Sequence, residues 1–415
     1  MSSPGELIEL EAAKGLVLER AAALDCEDVD LSRALGQTLA EDIKSSEKVP
    51  GFDNSAMDGF AVKASDTTAA SPASAVRLRI VAESRAGRPA NWVLEPGHAI
   101  AISTGAELPR GADAIVRVED THHVGAEVDI RAAVAVGQHI RAAGDDIQAD
   151  ELVLAAGTTI GPFELGVLAS VGRVRVPCVR RASVRVLTTG DELLDPYEPL
   201  RPGAVRNANA YTVPALARLA GAELHGVETV GDEQAATASA LEAMLQCDVA
   251  IACGGVSVGS HDHVRSALHR AGVEQHFWRV ALRPGKPTWF GTHARAPGER
   301  KTLVFGLPGN PVSAIVTFLL FVRPALRSLA GADPARERLT AILDEDYRKE
   351  QGRAEAIRCA LELRDDGWHA RATGPQGSHV LTSMLGADGL GIIPTGTAVV
   401  AAGEPIQVEL LPRLA

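Results

Sequence analysis

Apolar and polar positions alternate with different periods along this chain, and each change of period marks an expected element. Over residues 5–24, Leu7, Leu10, Ala13, Leu16 and Val17 share one helical face. Val49-Pro50-Gly51-Phe52 interrupts that pattern, and residues 52–144 then read as short strands and turns, with 77–81 alternating as a strand does. Another helix is expected at Pro162–Ser170. Ser183–Thr189 alternates as a strand, Val249–Cys253 is a continuous apolar run of a buried strand, and 302–306 is a third strand. Asn310 is a good N-cap and Pro311 a good first residue for an apolar helix running to about Leu329. After Gly331-Ala332-Asp333-Pro334 the pattern is all strand, with 357–363 alternating, Gly367–Ala372 as its hairpin partner and 406–410 closing a small β-barrel or sandwich.

Length and composition narrow the class. A chain of 415 residues exceeds one ordinary core and predicts two to four domains. A net charge of −12 argues against nucleic acid and against an anionic membrane surface, while leaving room for a locally basic pocket. The first residues, Met1-Ser2-Ser3-Pro4-Gly5-Glu6, lack the basic and apolar regions of a signal peptide, and the apolar run 314–322 is too short to span a bilayer. Five scattered cysteines without a C-x-x-C predict a reducing, cytoplasmic setting. Cys253, beside a glycine loop, has no evident partner base and reads as core filler before nucleophile.

Three strand–loop–helix units recur between residues 180 and 330. Val249–Cys253 runs into Gly254-Gly255-Val256-Ser257-Val258-Gly259 and then Asp262, Ser183–Thr189 runs into Gly190-Asp191-Glu192-Leu193, and the third strand runs into Leu307-Pro308-Gly309-Asn310-Pro311. Glycines let the backbone approach a ligand, and helix N-termini favour anions. One such loop is equally a tight turn without a ligand, but three in one domain, two carrying acids, point to a phosphate held through a divalent cation.

These loops, together with Arg283-Pro284-Gly285-Lys286-Pro287, resemble the signature of the molybdopterin molybdenumtransferase family, which includes bacterial MoeA and the E-domain of gephyrin. Residues 52–61, Ser103-Thr104-Gly105-Ala106, residues 137–147 and Gly377-Ser378-His379 fit the same family in order along nearly the whole chain. The resemblance implies a multidomain α/β plus β fold. Its parts are a discontinuous domain from 1–45 and 145–178, an inserted mostly-β domain at 46–144, an α/β domain at 179–330 resembling the molybdopterin adenylyltransferases, and a C-terminal β-barrel at 331–415. It also implies the reaction: Mg²⁺-dependent cleavage of adenylylated molybdopterin, release of AMP, and insertion of molybdenum from molybdate into the dithiolene.

Family positions carry the expected roles onto this chain. Thr104, Arg141, Thr189, Gly190, Asn207, Asn209, Gly254, Gly255, Ser257, Gly259, Pro308, Gly309 and Asn310 are candidates for binding the substrate. For Asn207 and Asn209, which precede a helix expected near Tyr211, ligand contact and N-capping stay equally open. Asp58, Asp146, Glu192, Asp232 and Asp262 are the candidate catalytic acids, with Glu192 and Asp262 the expected metal ligands because glycine loops place them at strand ends. Asp232, in an ordinary Gly-Asp-Glu turn, has the weakest individual signal. Arg283, Lys286, Ser313, Arg358 and Ser378 are molybdate candidates, cations and hydroxyls suiting a tetrahedral dianion. Arg283 stands where many relatives carry Lys, which keeps charge but not geometry, and Arg358 reads equally as a plain surface residue. His261-Asp262-His263 and His122-His123 lack the spacing of a zinc site. Phe60 replaces a tyrosine of the family motif.

The resemblance further implies a homodimer in which Asp58, Thr104, Arg141 and Asp146 of one subunit face the glycine loops of the other, and possible contact with a molybdopterin adenylyltransferase. Two other functions stay open: adenylylation of molybdopterin, because the adenylyltransferases share the α/β loops, and a scaffold or peptide-binding role like that of gephyrin.

Overall fold

A computed structural model describes residues 7–256, 263–295, 298–335 and 337–412. Four sheet-based bodies follow one another, with a chain crossover between the first two. Cys26–Asp30 and Thr38–Leu39 both pair antiparallel with Arg175–Val179, so segments more than a hundred residues apart make one small sheet. Ile43–Lys44 and Leu152–Leu154 pair in the same region, and the helix Pro162–Ser170 packs there with Leu168 buried.

Between these segments stands a six-stranded sheet in the order Ala114–Arg117, Gly59–Val62, His98–Ile102, Val76–Ser84, Glu127–Ile130, Thr121–Val124. Its residues alternate between two cores: Phe60 and Val62 enter one, Ala61 the other.

The α/β sheet has the order Glu223–Val230, Ser183–Thr189, Val249–Cys253, Thr302–Leu307, Trp289–His293, Glu274–Trp278. The first four strands are parallel and the last two antiparallel. The expected apolar helix continues over 19 residues, Pro311–Leu329, long and apolar enough to cross a membrane, yet 89% of its most apolar window is buried in the fold. At Phe318–Val322 it widens into a π-helical turn, with Arg323 N–H donating to Phe318 O. Pro324 supplies the reason, since it has no N–H to offer the Leu320 carbonyl.

The first helix is shorter than its pattern predicts, Leu10–Leu18. Arg20 and Ala21 tighten into three-residue turns, and Leu24 N–H donates to Leu329 O, which turns the chain away. The apolar face of that helix, which the sequence reading groups with 145–178, is buried in the α/β core with Leu282, Phe321 and Leu329.

The C-terminal barrel closes. Around it run Ala354–Arg364, Gly367–Ala372, Arg338–Leu343, Pro405–Leu410 and Gly389–Ile393, and the last pairs with the first. Ala354–Arg364 is not half-exposed as its alternation predicts: its first six residues are all buried. Ile357 and Cys359 face the barrel core, while Ala354 and Ala356 face the α/β core. The two domains share this strand through the parallel pairing of Leu282–Arg283 with Ala354–Glu355.

Candidate active site

Four parallel strands end on one edge of the α/β sheet, and the loops leaving them enclose a cavity of about 630 Å³. The carboxyl ends of such strands are where open α/β sheets receive ligands. Ser183–Thr189 delivers Thr189, Gly190 and Glu192, Glu223–Val230 delivers Asp232, and Val249–Cys253 delivers Gly254 and Gly255. Thr302–Leu307 delivers Gly309 and Asn310, and Asn207 and Asn209 complete the wall. Pro308 is buried behind its loop and does not line the cavity. Ser257, Gly259, Asp262 and His261 lie outside the described residues.

The loops touch through backbone. Gly254 has φ +91°, and a Cβ there would lie 2.8 Å from Thr189 O and 3.1 Å from its Oγ1. No side chain fits between these strands. Beyond Gly254 the next backbone is that of Gly309, and Asn209 Nδ2 donates to Gly309 O at 2.7 Å. On this cavity's wall two residues carry a buried side-chain oxygen without a partner among the described residues, Thr189 Oγ1 and Asn209 Oδ1. A second crevice, of about 500 Å³, lies where 36–38, 216–221 and 323–337 meet, away from these loops. The glycine-loop cavity is the better site because it stands at the carboxyl ends of parallel strands and holds two acids and two unsatisfied buried oxygens, whereas the crevice has one oxygen unpartnered among the described residues, Gln37 Oε1, and one acid, Glu337, already paired with Arg323 and Arg327.

Asn207 and Asn209 separate. Asn207 Nδ2 donates to Thr188 Oγ1 at 2.9 Å and Thr229 Oγ1 at 3.1 Å, and its Oδ1 accepts from Ala210 N–H at 3.2 Å. It ties two strands to the start of the helix Asn209–Leu219, while Asn209 keeps an acceptor open. Asn310 occupies the N-cap of its helix by backbone only: its side chain makes no capping bond and Nδ2 reaches Ser378 Oγ at 3.4 Å. Cys253 lines the cavity, but complete burial pushes its thiol up to about 12, so it stays protonated and is no nucleophile. Leu193, at the end of the Gly190–Leu193 run, also lines the cavity, as do Val205 and Arg206, which lie in none of the motifs.

The N-terminal candidates form a separate group. Asp58 Oδ1 accepts from Thr104 N–H at 2.7 Å, Arg141 sits opposite Asn54 in a short ladder, and Asp146 N–H donates to Val49 O at 3.1 Å. All four side chains are on exposed residues, and none lines the glycine-loop cavity of its own chain.

The basic candidates gather at the seam between the α/β domain and the barrel. Arg283 and Lys286 are exposed, Arg283 Nε lies 3.7 Å from Glu355 Oε1, and the intervening Gly285 packs against Thr317 on the helix that carries buried Ser313. Arg358 is not a surface residue: it is fully buried in the barrel wall. Its Nε donates to Ser383 Oγ at 3.1 Å and Nη2 to Pro375 O and Gly377 O, both at 3.2 Å, so it holds the loop that presents Ser378. Nη1 is buried without a partner among the described residues.

Among the described residues no three His, Cys, Asp or Glu side chains converge as a metal-ligand set, and His122 and His123 lie on an exposed stretch of strand. Glu192 and Asp232 give the cavity two carboxylates, with the Glu192 carboxylate folded over Gly190. With the unpartnered, buried hydroxyl of Thr189 these are all oxygen donors, which fits a hard cation carried with phosphates.

Similarity to known proteins covers nearly the whole chain. Residues 8–172 match the MoeA N-terminal region (domain I and II), 185–328 a "Probable molybdopterin binding domain", and 340–411 the MoeA C-terminal region (domain IV). A molybdopterin molybdenumtransferase 2 from Mycobacterium tuberculosis is 38% identical over 92% of this chain and 94% of its own. A molybdopterin molybdenumtransferase from Haemophilus influenzae is 33% identical over 97% and 98%. A molybdopterin biosynthesis MoeA protein from Pyrococcus horikoshii superposes with a TM-score of 0.81 at 31% identity, covering 98% of this chain and 99% of that one.

Proposed function

The chain belongs to the molybdopterin molybdenumtransferase family, and from that membership we propose how its cavity performs the transfer. It is a transferase of molybdenum cofactor biosynthesis acting on a small-molecule substrate. The proposed reaction is cleavage of the pyrophosphate of adenylylated molybdopterin, release of AMP, and placement of molybdenum from molybdate on the two dithiolene sulfurs.

One observation carries this reading: the glycine-loop cavity joins two carboxylates to two unpaired buried oxygens at the ends of four parallel strands. The Thr189 hydroxyl donates to a phosphate oxygen of the substrate, and Asn209 Oδ1 accepts from a hydroxyl or N–H of its organic part. Glu192 and Asp262, the expected ligands, together with Asp232 on the cavity wall, are the proposed holders of Mg²⁺, which when bound would neutralise charge on the leaving phosphate. Without such neutralisation, these acids and the phosphates would repel. The basic seam of Arg283, Lys286, Ser313 and Ser378 receives molybdate, with Arg358 fixing the Ser378 loop. Asp58, Thr104, Arg141 and Asp146 complete the site from a second subunit, because their own cavity does not reach them. Adenylylation of molybdopterin is the weaker reading, since the matches to the N- and C-terminal MoeA regions lie outside the domain the adenylyltransferases share. A reducing compartment suits five free thiols.

The test is to incubate purified protein with adenylylated molybdopterin, Mg²⁺ and molybdate and to follow AMP together with pterin-bound molybdenum. Both products are expected, and both fall in Glu192→Gln and Asp232→Asn. ATP consumption with free molybdopterin, without metal insertion, would instead establish the adenylyl-transfer reading.

A further inference from the structure

The glycine-loop edge contains an acid with no place on the cavity wall. Asp191 is exposed and lies between Gly190 and Glu192, yet does not line the cavity. Its carboxylate points the other way, across to the loop that follows Glu223–Val230. There Oδ1 accepts a hydrogen bond from Asp232 N–H at 3.0 Å. Asp191 is itself fixed, since its carbonyl accepts from Arg201 Nη2 at 2.7 Å. One residue earlier, Gly190 N–H donates to Val230 O at 3.1 Å. The two loops are therefore joined twice, once by backbone and once by the Asp191 side chain.

Gly231 explains how that carboxylate comes so close. A Cβ on Gly231 would collide with Asp191 Oδ1. The oxygen occupies the space a side chain would take, so the clasp exists because position 231 has none.

We propose that Asp191 is a positioning residue for the transfer reaction: it clasps the 231–232 turn so that the Asp232 carboxylate is held across the cavity from Glu192. The proposal rests on the reading that Asp232 acts in that cavity. Without the clasp, one backbone bond at Val230 remains, and the Asp232 carboxylate gains freedom beyond it. Orientation governs catalysis at such sites, and a misplacement of about 1 Å can cost about 100-fold. Only one carboxylate oxygen is used, and it acts as an acceptor. An amide carbonyl can replace it, so charge is not required for the clasp.

Four variants and one double variant test this by AMP release with adenylylated molybdopterin, each with its melting temperature. Asp191→Ala is expected to lower kcat about 10- to 100-fold with a smaller effect on KM. Asp191→Asn retains activity because its amide oxygen still accepts from Asp232 N–H. Gly231→Ala reproduces the Asp191→Ala loss at little cost to melting temperature, because the colliding atom is the end of a side chain that can rotate away. Asp191→Ala adds nothing in an Asp232→Ala background, the non-additivity of groups acting through one another. An Asp191→Asn as damaged as Asp191→Ala, or an Asp191→Ala loss undiminished beside Asp232→Ala, overturns the clasp. An active Asp232→Ala overturns the reading of Asp232 itself, whereas an impaired Asp232→Ala with a fully active Asp191→Ala overturns the clasp alone.

Discussion

Asn207 and Asn209 stand two positions apart, both buried, and only their partners distinguish them. One has its amide engaged between strands, and the other, on the cavity wall, leaves its buried Oδ1 without a partner among the described residues. Gly254 is the residue on which the loop convergence depends most. Gly254→Ala places a Cβ against Thr189 O in a conformation that disfavours side chains, a strain of about 1–3 kcal/mol. It is expected to lower the melting temperature and remove AMP release together, which thermal unfolding and the transfer assay measure. Arg358 was legible as a cation at a family position but not as a buried one. Its pattern of neighbours is that of a strand with one exposed face, and that second face is covered by the α/β core at Ala354 and Ala356 and meets the 375–383 segment at Arg358. Arg358→Leu is expected to lower stability in urea unfolding by about 1–3 kcal/mol in all, the cost of acceptors left unpaired. Arg358→Lys does not restore the loop, since one ammonium cannot stand both where Nε donates to Ser383 Oγ and where Nη2 donates to Pro375 O and Gly377 O.

At the scale of elements, the strand–loop–helix units were readable because each is local: a short apolar strand, glycines, then a helix start. The observed strands Ser183–Thr189, Val249–Cys253 and Thr302–Leu307 fall where the pattern puts them. The junction that anchors two of them was not readable. Asp248, just before Val249–Cys253, accepts from Arg180 Nη1 and Nη2 at 2.7 and 2.9 Å and from Ser183 N–H and Oγ–H at 2.9 and 2.8 Å. Burial pushes this carboxyl up, but the bonds from Arg180 and Ser183 outweigh it and hold it at about 2, below its ordinary 3.8. A depressed carboxyl stabilises the fold above its ordinary value and loses that contribution as pH falls through 3.8 toward about 2. The difference amounts to about 2 kcal/mol. Melting temperatures from pH 7 to 2.5 are expected to fall more steeply below pH 4 in the wild type than in Asp248→Asn, which begins lower and changes less.

At the scale of the molecule, three ionic contacts draw together parts distant in sequence. Glu409 of the barrel meets Arg323 of the long helix at 3.3 Å, Arg338 at 2.7 Å and Lys14 of the first helix at 3.6 Å. Such a hub fixes how the barrel sits on the α/β domain, and with it the basic seam beside the cavity. The exposed group of Asp58, Thr104, Arg141 and Asp146 has no such place within one chain. If a second subunit supplies it, mixed dimers of Asp58→Ala and Glu192→Gln subunits recover AMP release that neither homodimer shows, by assembling one intact site. Well-formed heterodimers that stay inactive would show that each subunit works alone.

By itself the sequence determined the identity of the parts: the glycine loops, the acids and cations of the motifs, the apolar helix and the all-strand C-terminus. Each is written in neighbouring residues, through period, glycine and capping chemistry, and the family resemblance rests on those same short runs. The tertiary structure decided which parts meet. It put the face of the first helix into the α/β core, buried Arg358, gave Asn207 to the strands and Asn209 to the cavity, and turned Asp191 toward Asp232. These outcomes depend on contacts between residues tens to hundreds of positions apart. Such contacts are selected by how whole surfaces pack, and no local pattern of hydrophobic and polar residues records them.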